Sequence, residues 1–210
     1  GIWVGDYIYE DLHEDGVIDE KDRTFLGNPA PKFTFGFNNY FAYKGFDLNI
    51  FLNGSVGNKA VNLIRRTFTD PMRNSNLLKE ATDIALIGMH DPEVGDEELS
   101  NVYIVNADRA KVQRVTTSSA NDNNRISSRF IEDASYLRIK NISLGYTFPR
   151  KWLRHLQIDN IRLYVNIQNL CTISGYKGYD PEIGALNYNV LLRGVDAVSY
   201  THLTLPTSDL

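Results

Sequence analysis

The sequence predicts an all-β chain of antiparallel strands, and three observations carry that prediction. Four segments alternate apolar and polar side chains with period two, each is long for a strand, and the connections between them are short and long by turns.

The first segment, KFTFGFNNYFAY over 32–43, puts Phe33, Phe35, Phe37, Phe41 and Tyr43 on one face and Thr34, Gly36, Asn38 and Ala42 on the other. Lys44-Gly45 breaks the pattern. GFDLNIFLNGSVG then sets Phe46, Leu48, Ile50 and Leu52 against Asp47, Asn49, Phe51 and Asn53. Two alternating runs around so short a break predict a β-hairpin over 33–55. The third segment, SYLRIKNISLGYTF over 135–148, alternates less cleanly at its start, but Ile142, Leu144, Tyr146 and Phe148 share a face and Pro149 ends it. The fourth, NIRLYVNIQNLCTI over 160–173, sets Ile161, Leu163, Val165 and Ile167 against Arg162, Tyr164, Asn166 and Gln168. A moderate connection, 149–159, joins these last two into a pair spanning 135–173.

Alternation of this kind fits a soluble sandwich, with one face packed and one in water, and equally a membrane barrel, with one face in lipid and one toward the lumen. Strands of about ten to thirteen residues exceed the usual five or six. Aromatic residues gather near their ends, as interface girdles require. Long connections at 56–134 and 174–197 alternate with short ones, which is the asymmetry of outer-membrane barrels. That pattern assigns 1–32, 56–134 and 174–197 to the extracellular side. Within the longest, SNLLKEATDIAL over 75–86 spaces Leu77, Leu78, Ala81, Ile84 and Ala85 along one helical face, with Ser75 or Asn74 as N-cap. A short amphipathic helix is predicted there.

Composition narrows the function. A 42% hydrophobic content over 210 residues is enough for a core. No apolar run of about eighteen residues is present, so no transmembrane helix is predicted, a result that says nothing of membrane strands. The net charge of −4 and the scattered Lys and Arg residues argue against nucleic acid as a partner. Cys171 is the only cysteine and reads as a small apolar filler, and no Cys/His cluster has zinc spacing. No nucleophile stands with a base, so the chain is not expected to be an enzyme. Glu132 and Asp133 are adjacent on a strand and point to opposite faces. Their expected place is the barrel rim, paired with Arg129 or Arg138. His90 and His155 lack partners at ligand spacing, and Ser127 and Ser128 lack the turn that exposes a nucleophile.

One constellation suggests site chemistry. DLHEDGVIDEKD, Asp11 to Asp22, overlays a twelve-residue EF-hand-type loop, with Asp11 at position one, Asp15 at five, Gly16 at the turn, the Val17 carbonyl at seven, Asp19 at nine and Asp22 at twelve. These oxygens suit calcium as a bracing ion. His13 at position three and an Asp in place of Glu at position twelve depart from the pattern, and an acidic turn without metal explains the same residues. Tyr176, Tyr179 and Tyr188, with Asp180 and Asn187, could face sugar or simply furnish a loop. Arg162, Asn166 and Gln168 would line a lumen.

Three passages carry a resemblance: GDYIYEDLHEDGVIDEKDRTFLGNPAPKFTFGFN from Gly5, NNRISSRFIEDASYLRIKNISLGYTFP from Asn123 to Pro149, and IRLYVNIQNL followed by GYDPEIG ending at Gly184. In order and spacing they resemble the C-terminal barrel region of the SusC/RagA family of TonB-linked outer-membrane proteins. The resemblance implies antiparallel strands from a large transmembrane β-barrel in the bacterial outer membrane, with long extracellular loops. It also implies a plug and earlier strands not contained here, a SusD-like surface lipoprotein as lid, TonB acting through the plug, and an oligosaccharide or peptide as cargo. The alternative is a secreted, calcium-stabilised β-domain that binds glycan. The two are separated by whether Phe35, Phe37, Leu48, Ile50, Leu163 and Val165 form an uncovered band about 25 Å tall. The chain begins at Gly1 without an initiator Met and reads as a fragment. Residues 198–210, within VSYTHLTLPTSDL, resemble a translated sequencing adapter in place of a closing strand. With open outer strands, such a chain is not expected to function alone.

Overall fold

The computed structural model describes residues 2–118, 120–184 and 193–197; the 198–210 tail, Asn187 and Tyr188 lie outside them. Nine strands are present among these residues: β1 (Phe33–Tyr43), β2 (Phe46–Val56), β3 (Lys59–Asn62), β4 (Ile87–Met89), β5 (Val102–Ile104), β6 (Ile131–Asp133), β7 (Tyr136–Thr147), β8 (Arg162–Ser174) and β9 (Val195–Asp196). Two short helices, α1 (Leu63–Phe68) and α2 (Arg150–Leu153), join them. The long strands form one antiparallel sheet in the order β1-β2-β7-β8. The described residues divide into two compact units, one of 2–26, 62–131 and 196–197, the other of 27–61 and 132–195.

The sheet belongs to the second unit. Lys44 and Gly45 both take positive φ, 46° and 89°, which is the backbone a two-residue hairpin needs to follow the strand twist. In the register Phe37 faces Leu52, Phe41 faces Leu48, and Leu48 continues to Leu144 and Val165. The faces expected from alternation are therefore the faces formed. The untidy start of the third segment has a local cause. Phe51 pairs with Asn141 and Leu52 with Ile139, so Lys140 is an extra residue, and β8 absorbs a further one at the same level, where Asn169 adopts φ 51°. Leu137 and Ile139 return to the apolar face only because of this bulge.

Beside the sheet, β6, β3 and β9 form a smaller one. Its connection to β2 is tight and fully bonded. Asn58 donates its side-chain amide to the Ala134 carbonyl at 3.3 Å, the Ala134 amide returns to the Asn58 carbonyl at 2.9 Å, and the Gly57 amide donates to Ser135 Oγ at 2.9 Å. Ala60, Ala134 and Tyr176 make a small core there, with Ile183 packed against it.

The first unit is held by long-range polar contacts more than by periodicity. The Tyr7 hydroxyl donates to the Lys111 carbonyl and accepts from the Gln113 amide, each at 3.1 Å. Arg114 donates to Asp6 at 2.9 Å and lies over the Trp3 ring, while Arg129 lies over Tyr7 and Arg125 over Tyr9. Burial pushes the Tyr9 phenol up to about 12, so it remains a donor to the Asp122 carbonyl at 3.1 Å. The DYIYE run is thus an anchoring segment for 111–130.

The amphipathic helix expected over 75–86 is not formed as such. Only Lys79–Asp83 is helical, as a 3-10 turn, with Leu78 extended at its start and no side-chain cap. Neither Asn74 nor Ser75 caps it, because the Leu78 amide is taken by the Phe68 carbonyl at 2.8 Å. The α-helix of the long connection lies earlier, at α1 (Leu63–Phe68), where the amide of Arg65 is capped by the Asn62 side chain at 2.8 Å.

Candidate functional site

Two features of the chain present chemistry: the two-faced sheet and the acidic loop. On one face of the sheet stand Phe33, Phe35, Phe37 and Phe41 of β1, Leu48, Ile50 and Leu52 of β2, Leu137, Ile139, Ile142 and Leu144 of β7, and Leu163, Val165 and Ile167 of β8. Leu163 is 62% exposed, Val165 63% and Phe37 56%, so this face is bare. Eleven residues of β1 at about 3.3 Å each make a strand about 36 Å long, which at the tilt of about 45° usual in a membrane barrel would span a belt about 25 Å tall. At the hairpin end an aromatic group closes the band: Phe46 lies 4.5 Å from Tyr146, Tyr146 5.0 Å from Phe148, and Phe148 6.3 Å from Trp152. Rings with polar atoms at such a level match an interface girdle.

The opposite face is polar. Asn49 and Asn53 of β2, Asn141 and Ser143 of β7, and Arg162, Asn166 and Gln168 of β8 share it. Arg162 donates to both carboxylate oxygens of Asp47, at 3.1 and 2.5 Å, across the intervening strand. Gly145 makes that crossing available, since a Cβ there would lie 2.6 Å from Asp47 Oδ1 and 2.7 Å from Arg162 Nη2. The pairing was legible only as two lone opposite charges on alternate strands, and reading each strand separately misses it. Of the residues expected in the lumen, Arg162 is thus bonded to Asp47, while Asn166 and Gln168 share the polar face with it.

The rim carboxylates depart from expectation. Asp133 pairs with Lys59 at 3.2 Å, and hydrogen bonds from Ser135, aided by Lys59, hold its carboxyl below the usual range. Glu132 accepts from the Lys177 amide at 2.9 Å. Neither meets Arg138. Arg138, only 6% exposed, instead holds Asp180 at 2.5 Å and Glu182 at 2.6 Å, because the loop after β8 folds back onto β7. Two carboxylates at i and i+2 around Pro181 in GYDPEIG were the available signal. Tyr176 is buried at 9% and unavailable to a ligand, whereas Tyr179 is 84% exposed.

In the acidic loop the expected ligand residues turn toward the backbone. Asp11 Oδ2 accepts from the Gly16 amide at 2.7 Å, Asp15 Oδ1 from Val17 at 3.0 Å, and Asp19 Oδ1 from Lys21 at 2.7 Å. Asp22, its side chain 5% exposed, accepts from Asp19 at 2.8 Å, Leu12 at 2.9 Å and His13 at 3.3 Å. Those amides, Asp19's foremost, hold its carboxyl below the usual range. Lys21 Nζ stands 3.4 Å from Asp15 and 3.8 Å from Asp19, supplying a positive charge between them. Asp11 Oδ1 is buried without a donor. Among the described residues no group of three or more His, Cys, Asp or Glu side chains is assembled to hold a metal ion.

No family model matches the chain. It is 34% identical over 185 residues to TonB-dependent receptor P3 of Formosa agariphila, covering 88% of this chain and 16% of that receptor. It is 26% identical over 194 residues to TonB-dependent receptor SusC of Bacteroides thetaiotaomicron, covering 92% of this chain and 16% of SusC. The chain therefore spans about a sixth of the length of these curated relatives. Among solved structures it superposes on that of the RagAB peptide transporter with a TM-score of 0.53 at 24% identity, over 72% of this chain and 14% of the other. The "closed-closed" state of the RagAB peptide importer gives a TM-score of 0.54 at 22% identity, over 80% and 18%. At those identities the structures speak for the fold alone, and the fold is that of antiparallel barrel strands. With one apolar face bare, the other polar, and ordered similarity along most of its length, the chain belongs to the SusC/RagA family of TonB-dependent outer-membrane receptors, of which it is a part.

Proposed function

We propose that these residues form C-terminal strands and loops of a receptor that imports oligosaccharide or peptide nutrients across the outer membrane. A SusD-like surface lipoprotein would cap it, and TonB would act through a plug supplied by the rest of the protein. The observation that carries this reading is the uncovered apolar face that crosses all four long strands and backs onto a polar face. The names of the relatives, SusC and the RagAB peptide importer, support an uptake role and leave sugar and peptide both in play. Residues 1–32, 56–134 and 174–197 would then be extracellular, since they leave the sheet at the end opposite Lys44-Gly45. Nothing favours the secreted-domain alternative, which needs cover for the apolar face. In the organism that encodes it, the full-length receptor should fractionate with the outer membrane and co-purify with a lipoprotein. Deleting its gene should abolish growth on an oligosaccharide or on a peptide source. Recovery from the culture medium, or unchanged growth on every such nutrient, would refute this reading.

We further propose that the acidic loop takes calcium as a brace. Asp11 Oδ1, buried and without a donor, supports this, as do the four aspartates at positions one, five, nine and twelve with the Val17 carbonyl at seven. Lys21 would be displaced from Asp15 and Asp19 on binding. Calorimetry on the purified full-length receptor is expected to show a site with a Kd of about 10⁻⁴–10⁻³ M, the range of extracellular modules, lost in an Asp11→Asn, Asp15→Asn double variant. Absence of binding up to about 10 mM calcium would leave the turn as a metal-free cap.

A further inference from the structure

We propose that residues 175–184 are a fixed strap drawn inward over the polar face of the sheet, with Arg138 as the residue that positions it and Tyr179 as the point it presents to whatever passes the mouth of the barrel. The inference rests on the polar face being the lumen face.

Four ties hold the segment, all within one unit. At its start the Tyr176 amide donates to Ser174 Oγ at 3.1 Å, and that hydroxyl donates to the Ser135 carbonyl at 2.8 Å. One residue on, the Lys177 amide donates to Glu132. At its middle Asp180 and Glu182 reach Arg138, and Lys140 Nζ adds a 2.8 Å contact to Glu182. At its end Ile183 packs with Tyr176, Ala60 and Ala134.

The direction of the strap follows from Arg138. It pairs in register with Asn53 and Thr172, and its Nε donates to Thr172 Oγ1 at 2.8 Å, which places it on the polar face. A loop whose carboxylates meet that guanidinium must lean over the polar face. The bulge at Lys140 contributes as well, because the extra residue brings a second cation to Glu182 without costing β7 its apolar face. A surface ion pair alone would fix little. A buried guanidinium whose three donor nitrogens all have acceptors fixes a great deal, since releasing the loop would strand it. Asp180 also accepts from the Glu182 amide at 2.8 Å, so the chain around Pro181 is preset. With Tyr176 turned into the small core, Tyr179 is the ring left outward.

The test uses the full-length receptor in outer membranes, with Cys171→Ser and any other cysteines replaced, and a nitroxide spin label at Tyr179→Cys. A restricted spectrum is expected. It should become mobile in Arg138→Met and in the Asp180→Asn, Glu182→Gln double variant, and return in part in Arg138→Lys, which keeps one bond to a carboxylate. A spectrum equally mobile before and after these changes, or equally restricted, overturns the strap. Should Arg138→Met fail to assemble, the carboxylate pair decides, since both amides preserve volume. A second label at Val165→Cys reports separately on the parent reading. Strong broadening by lipid-dissolved oxygen places that face in the bilayer whatever the strap does.

Discussion

Replacing Ile167 by arginine is expected to remove nearly all folded receptor from the outer membrane, while the same change one residue earlier, Asn166→Arg, leaves assembly close to normal. Ile167 lies mid-strand in β8, opposite Ile142 and through it Ile50, on the apolar face; Asn166 lies opposite Ser143 on the polar one. An arginine at the bilayer midplane of a barrel's outer face costs about 2–4 kcal/mol. At about 1.4 kcal/mol per tenfold, that lowers the ratio of folded to unfolded receptor by about thirty-fold to several hundred-fold. On the lumen face the guanidinium stays in water or among carboxamides, and surface changes there fall within about 0.5 kcal/mol. Heat-modifiable mobility of the full-length receptor in isolated outer membranes measures both variants. Equal losses, or equal tolerance, would mean that the two faces do not meet lipid and lumen as assigned.

Why these faces could be read from the sequence, and the loops could not, has a physical basis. A strand between lipid and lumen is sorted one residue at a time, so Phe46, Leu48, Ile50 and Leu52 declare their side without reference to any partner. Where a bulge intervenes the sorting resets, and the blurred alternation at Leu137 to Asn141 was the only sign of it. The first unit is built otherwise. Tyr7 finds Lys111 and Gln113, and Asn123 bonds Asp6 at 2.9 Å, over separations of a hundred residues and more that no local pattern encodes. Helical spacing over 75–86 was present but misled, since the Leu78 amide had a better partner in Phe68 than in a first helical turn. The acidic loop was legible as a turn, because Asp11, Asp15 and Asp19 bond amides two to five residues away. Arg138 and its two carboxylates were not, being joined only when the chain returns.

The second large effect is expected at a glycine the alternation treats as an ordinary strand position. Gly54 of β2 faces Phe35 of β1, and the ring covers it, standing in for the side chain it lacks. A Cβ built on Gly54 would fall 2.5 Å from that ring and 2.7 Å from the backbone carbonyl oxygen of Tyr136. The ring could turn aside, but the carbonyl belongs to β7 and is fixed by the ladder. Gly54→Ala must therefore part β2 from β7 or bend one of them, at about 1–3 kcal/mol for overpacking alone, and Gly54→Val should cost more. Gly36 supplies the contrast. It too sits beside a phenylalanine, yet its Cβ would meet Phe51 at 3.4 Å, an ordinary contact, so Gly36→Ala should be neutral or should stabilise by about 0.4–1 kcal/mol through the unfolded chain. Urea midpoints of the refolded full-length receptor in detergent separate the cases. A midpoint for Gly54→Ala equal to that of Gly36→Ala would show that β7 yields at Tyr136, and the register drawn between Gly54 and Leu137 would then be wrong.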